Sequence, residues 1–158
     1  MNMVPRRTVL AGLASVGLAA FARTGRAAPA TLKAAAEARG LIWGAAVQHS
    51  QLKGDAEFAA LVAQQCSSIT AEWEMKWAAI ESRQGKPNFA RADAMAAFAK
   101  EHRLSVRGHA LVWHRSVPDW ARDSLAWDAV AAHVEAMLRR YRGKIGRASC
   151  RERVFGYV

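Results

Sequence analysis

The chain has 158 residues, 52% of them hydrophobic, and a formal net charge of +10. The length suits one domain with a buried core, and the apolar content excludes a disordered chain. Four of the net charges lie in residues 1–30 and two in 146–158. The other four are spread over 31–145 among sixteen basic and twelve acidic residues, without the basic block that nucleic-acid binding uses, so no nucleic-acid partner is expected.

Residues 1–30 read as an export signal. "MNMVPRR" is a short basic start, Thr8 to Phe21 is an apolar run, and the segment ends in small residues at Ala28-Pro29-Ala30. The run is too short for a membrane span, which needs about 18 or more apolar residues. Arg6-Arg7 ahead of a mild Ala/Gly-rich core is similar to a twin-arginine signal. The mature chain is expected to begin near Thr31, in the periplasm or outside the cell, with no stable membrane association after cleavage. Export permits disulfides, but there are only two cysteines. Cys66 closes an apolar helix stripe and reads as a buried thiol, Cys150 lies near the C-terminus, and no bridge between them is expected.

From residue 31 the chain alternates strand and helix patterns. Leu41 to Val47 is a short apolar run and reads as a strand. Asp55 caps a helix over 55–66, with a stripe of Phe58, Leu61, Val62 and Cys66. Residues 67–70 read as a second strand. Asn88 caps a helix over 90–102 that carries Met95, Phe98 and Ala99. Residues 104–110 read as a third strand. Ser124 caps a last helix over 124–142, with a stripe of Trp127, Val130, Val134, Met137, Leu138 and Tyr141. His133 falls at the margin of that stripe and reads as structural. Arg139, Arg140 and Arg142 suit the negative end of this helix, and Gly143 can terminate it.

The order βαβαβα implies a parallel sheet with right-handed crossovers. Three such units are part of a larger α/β architecture. In a (β/α)8 barrel, the residues that do chemistry follow the C-terminal ends of the strands. Glu72, Glu74 and Lys76 follow the second strand here, and His109, Trp113 and His114 follow the third. Nothing comparable stands at the strand starts.

Two stretches carry a resemblance to a known family. "ITAEWEMKWAAIE" and "RGHALVWHRSVPDW", in that order and at this separation, resemble the N-terminal half of the family 10 glycoside hydrolases, the endo-1,4-β-xylanases. The resemblance runs from about Leu41 to Ile145. It implies an α/β chain forming part of a (β/α)8 TIM barrel, about its first three βα units. It also implies retaining hydrolysis of xylan, by a nucleophile glutamate and an acid/base glutamate roughly 5–5.5 Å apart. Glu72 and Lys76 are implied to bind sugar hydroxyls, His109 to contact the sugar nearest the scissile bond, and Trp113 to wall that sugar. His114 is implied to support the site from behind. Family members often have asparagine after the first glutamate of the first motif. Trp73 stands there, so it is left out of the site.

The resemblance places the acid/base glutamate in a W-D-V-x-N-E motif on a fourth strand and the nucleophile on a seventh. After "RYRGKI" this sequence reads "GRASCRERVFGYV", which matches neither. Residues 146–158 therefore read as foreign or frameshifted sequence, and Glu152 within them is not a catalyst. Residues 31–145 read as the N-terminal part of the catalytic domain. The 158-residue polypeptide is expected to be a truncated piece without either catalytic glutamate. The alternative function is a non-catalytic xylan- or carbohydrate-binding fragment. The expected ligand is xylan or a xylo-oligosaccharide, and the intact parent is expected to be a monomer.

Other readings of these residues are structural. Trp43, Trp77 and Trp127 read as core, and Glu74 and Glu81 as solvated or cap-supporting charges. No cofactor is expected. No metal is expected either, because His109 and His114 lie five residues apart, share no helix or strand face, and lack a nearby cysteine or H-E-x-x-H pattern. An open three-stranded parallel sheet is expected to leave apolar strand faces and edges uncovered, and so to be poorly soluble.

Overall fold

A computed structural model describes residues 31–123 and 126–149. The export signal, the Ser124 cap, Cys150 and residues 151–158 lie outside the described residues.

The element order is α1 (Leu32–Glu37), β1 (Gly44–Val47), α2 (His49–Gly54), α3 (Ala56–Gln65), β2 (Ser68–Ala71), α4 (Trp77–Ile80), α5 (Ala90–Glu101), β3 (Ser105–His109), a 3-10 turn (His114–Ser116), α6 (Asp119–Arg122), α7 (Trp127–Tyr141) and β4 (Arg147–Ser149). The four strands form one parallel sheet in the order β1-β2-β3-β4. This is an open part of a (β/α)8 barrel. The expected strands and helices are present within a few residues. Asp55 caps α3 by accepting the Phe58 N–H at 2.9 Å. The Asn88 side chain accepts the Ala90 N–H at 2.9 Å ahead of α5, whose N-cap is Phe89 rather than the expected Asn88. Gly143 follows α7 with φ +72°, a conformation that costs glycine little.

Among the described residues the sheet has four strands rather than three. Arg147–Ser149 pairs with Arg107, Gly108 and His109 of β3, inside the stretch expected to be foreign sequence. A ladder joins backbone N–H and C=O groups, so it forms without regard to the side chains there.

Strand periodicity divides the sheet into two unlike faces. Val47, Ile69, Ala71 and Val106 are buried and pack on the helices. The alternate positions, Gly44, Ala46, Ser68, Thr70, Ser105 and Arg107, form the uncovered face. Along the ladder that face carries mostly small or polar residues, and the expected bare apolar surface lies just ahead of β1, where Leu41 is 60% and Ile42 71% exposed. Close approach is built in at its edge: a Cβ on Gly44 would lie 2.5 Å from the Ser68 carbonyl oxygen.

Several helix-stripe and core expectations also change. Trp43 is 45% and Trp127 64% exposed. Trp43 precedes the first ladder residue, and Trp127 opens α7, so neither reaches the layer between sheet and helices. Leu61 and Leu138 are exposed too. The buried stripe of α7 is Val130, His133, Met137 and Tyr141, so His133 sits at its centre rather than its margin. Cys66 is a buried free thiol, and burial raises its pKa against the smaller opposing pull of Lys33.

A polar clamp joins α5 to α7. The Arg140 guanidinium makes a two-pronged contact with the Asp93 carboxylate, and the Tyr141 hydroxyl donates to the same carboxylate at 3.1 Å. Arg140 also lies 4.6 Å from the Phe89 ring centre. The hydrogen bond from Arg140 holds the Asp93 carboxyl below its usual pKa, with Tyr141 helping.

Candidate functional site

The site is built from the chain that leaves β2 and β3 at their C-terminal ends. Beyond β2 the pairing with β1 continues one step, because the Glu72 N–H donates to the Val47 carbonyl at 3.0 Å. This sets Glu72 beside the residue that leaves β1. The Gln48 side-chain amide donates to a Glu72 carboxylate oxygen at 3.2 Å. A tight turn follows, closed by the Lys76 N–H donating to the Trp73 carbonyl at 3.0 Å.

Glu74 anchors this turn from inside. It is 5% exposed and accepts from the His49 N–H at 2.8 Å and the Trp73 N–H at 3.3 Å. It therefore supports the start of α2, and it is not solvated. Glu81 is likewise occupied. It accepts from the Trp77 indole N–H at 3.1 Å and the Gly85 N–H at 2.7 Å. Two hydrogen bonds to one carboxylate hold it in one orientation. Both glutamates are structural.

Trp113 is the hub of the arrangement. The Lys76 ammonium lies 4.8 Å from its ring centre, and the Arg115 guanidinium 5.8 Å. The His109 ring is 6.4 Å away, and the His114 ring stands edge-on at 6.0 Å. Lys76 is 9% exposed. Its stem is buried while its charge lies against indole faces, where the ring quadrupole attracts it by about 0.5–2 kcal/mol. The His109–Ala110 peptide bond, at the end of β3, is cis.

Among the four residues expected at the site, Lys76, His109 and Trp113 are thus gathered at one end of the sheet. Glu72 stands at the same end and is linked to Gln48. Gln48 and Arg115 were not anticipated. Each was open to the rule used for the other strands, since Gln48 is the first residue after β1 and Arg115 lies two residues past Trp113. Among the described residues, no group of three His, Cys, Asp or Glu side chains could hold a metal ion.

A second aromatic cluster holds this end of the sheet from behind. The Trp77 ring stacks on His133 at 5.1 Å and meets Trp120 edge-on at 5.7 Å. The Trp120 indole N–H donates to the Glu81 carbonyl at 2.9 Å. His133 Nε2–H donates to the Leu111 carbonyl at 3.1 Å, which ties α7 to the segment between His109 and Trp113. Burial pushes the His133 pKa down to about 4, against the Leu111 hydrogen bond and the charge of Glu81.

Comparison with known proteins assigns the chain to a family. The sequence model of glycosyl hydrolase family 10 matches residues 31–148. Endo-1,4-beta-xylanase 3 of Hypocrea jecorina is 35% identical over 91 residues, which cover 55% of this chain and 26% of that protein. The solved GH10 xylanase of Thermobacillus composti superposes with TM-score 0.61 at 36% identity, covering 68% of this chain and 35% of its own. Xylanase 10B of Thermotoga petrophila, solved in complex with xylobiose, superposes with TM-score 0.68 at 23% identity, covering 78% and 40%. The chain thus spans about a quarter to two-fifths of the length of these relatives.

Proposed function

This chain belongs to glycosyl hydrolase family 10, and from that premise we propose that it supplies one wall of the substrate cleft of an exported endo-1,4-β-xylanase. The gathering of Lys76, His109 and Trp113 around one indole at the C-terminal end of the strands supports this reading.

A xylose unit has hydroxyls on its rim and an apolar C–H face. In the proposed complex, Trp113 covers that face. Lys76 and His109 hydrogen-bond the rim, and Glu72 accepts from a hydroxyl while Gln48 holds its second position. Bonds of this kind that strengthen as the oxocarbenium-like state forms contribute several kcal/mol to glycoside hydrolysis.

Retaining hydrolysis also needs a nucleophile and an acid/base on opposite sides of one bond. Glu72 and Glu74 both follow β2, so they do not face each other across one bond, and Glu74 and Glu81 are held by backbone and indole N–H groups. The 158-residue polypeptide is accordingly proposed to bind xylan without cleaving it. Titration of the polypeptide with xylohexaose, followed by NMR, tests the binding. Saturable binding is expected, weakened by about 1–3 kcal/mol in His109→Ala, where a hydrogen-bond partner is lost. Absence of binding, or binding that His109→Ala leaves intact, counts against the site. Reducing sugar released from xylan in proportion to protein concentration, and surviving repurification, counts against the missing chemistry.

Export through the twin-arginine route rests on Arg6-Arg7 and the mild apolar core that follows. Replacing both arginines with lysine in a fusion to a folded reporter should block its translocation. Undiminished export would remove this part of the proposal.

A further inference from the structure

Trp73 stands between Glu72 and the buried Glu74, in the turn that carries Lys76. Its backbone is fixed on both sides: its N–H donates to Glu74 at 3.3 Å, and its carbonyl accepts from Lys76 at 3.0 Å. The residue is nevertheless 40% exposed. The Lys76 ammonium lies 5.6 Å from the Trp73 ring centre and 4.8 Å from that of Trp113. The two indoles therefore flank one ammonium, with ring centres at most 10.4 Å apart, the sum of those distances. One oligosaccharide is long enough to touch both.

The motif gives this ring no role in the core, because that role falls to Trp77, which is 1% exposed. An indole on a fixed backbone, partly left in water, offers an apolar face at a low ordering cost on binding, since only two side-chain torsions remain. Its neighbours supply what a sugar rim needs: three ammonium donors on Lys76 and carboxylate acceptors on Glu72.

We propose that Trp73 is a substrate-contacting residue whose exposed indole stacks on a sugar of the xylan chain adjoining the one that covers Trp113, with the Lys76 ammonium between them. This deepens the site reading above and rests on it. An indole face reads the C–H surface of a sugar and makes no hydrogen bond to a hydroxyl. Position 73 therefore contributes affinity for a chain of sugars, where an amide side chain would contribute hydroxyl recognition.

The test uses the 158-residue chain and xylohexaose. Trp73→Ala should weaken binding about three- to tenfold, the range that one aromatic contact supplies. Trp73→Phe should keep most of the affinity, and Trp73→Asn should lose it as Trp73→Ala does. A merely structural role is separated by NMR of the saturated parent complex. Direct contact predicts nuclear Overhauser effects between the Trp73 ring protons, identified by their loss in Trp73→Phe, and sugar C–H protons. If the parent binds xylohexaose but these effects are absent, or Trp73→Ala binds equally well, Trp73 is not a contact and the rest of the site stands. If the parent does not bind, the site reading fails and this inference fails with it.

Discussion

Trp73 and Trp77 stand four residues apart in the same six-residue stretch, yet they end in opposite environments. Trp73 is 40% exposed beside Lys76, and Trp77 is 1% exposed between His133 and Trp120. The second motif repeats the division. Trp113 faces Lys76 and His109, whereas Trp120 turns inward to the Glu81 carbonyl. Each motif thus supplies one indole to the open end and one to the packing behind it. A motif long enough to be diagnostic is therefore not uniformly a site. About half of it holds the other half in place.

The sharpest way to break this division is to remove the inward partner. Trp77→Ala deletes a fully buried indole with two ring contacts and a hydrogen bond. It should cost about 3–5 kcal/mol, read as a lower melting temperature by circular dichroism. A shift as small as that of a surface substitution would show that the inner cluster does not support the fold.

The next effect is one of pH. His133 is buried neutral with its pKa pushed down to about 4, below an unfolded value near 6.5. Between those values the unfolded chain binds the proton and the folded chain does not. The stability from this residue is therefore complete above about pH 6.5, is lost as pH falls towards 4, and is flat below that. The loss is on the order of 3 kcal/mol. Denaturant melts across this window should show it, and His133→Gln should flatten the slope. An unchanged slope would mean that other groups carry the acid sensitivity.

Tyr141→Phe tests the clamp between α5 and α7, on the packed side of the sheet. It removes one hydrogen bond from a buried hydroxyl to Asp93 and should cost about 1 kcal/mol. The Asp93 carboxyl is held below its usual pKa, so its own contribution is present above about pH 4 and fades as pH falls through the lowered value. The smallest effect belongs to the outward indole. Trp73→Ala should change stability by about 0.5 kcal/mol or less, as surface substitutions do, while still weakening sugar binding. A large loss of stability would erase the contrast with Trp77.

Much of the fold was legible in the sequence. Asp55 and Gly143 mark helix ends because capping is local chemistry, decided by a residue and its nearest neighbours. The strands at 44–47, 68–71 and 105–109 show as short runs bounded by turns. Lys76, His109 and Trp113 could be assigned to one end because parallel strands bring all their C-terminal ends together. The fourth strand was not legible, because a ladder is indifferent to the side chains that made its segment look unrelated.

What only the tertiary structure decided is which side of each residue finds a partner. Trp43 and Trp127 have the composition of core and are exposed. His133 has the composition of a helix margin and lies at the centre of a buried stripe. Glu74 has the composition of a surface charge and is enclosed by two backbone N–H groups. Periodicity assigns a residue to a face of its own helix or strand, and composition states a preference for burial. Neither says whether another element covers that face, because that depends on contacts far apart in the chain. The Leu111 carbonyl reaching His133 and the Gln48 amide reaching Glu72 are of this kind.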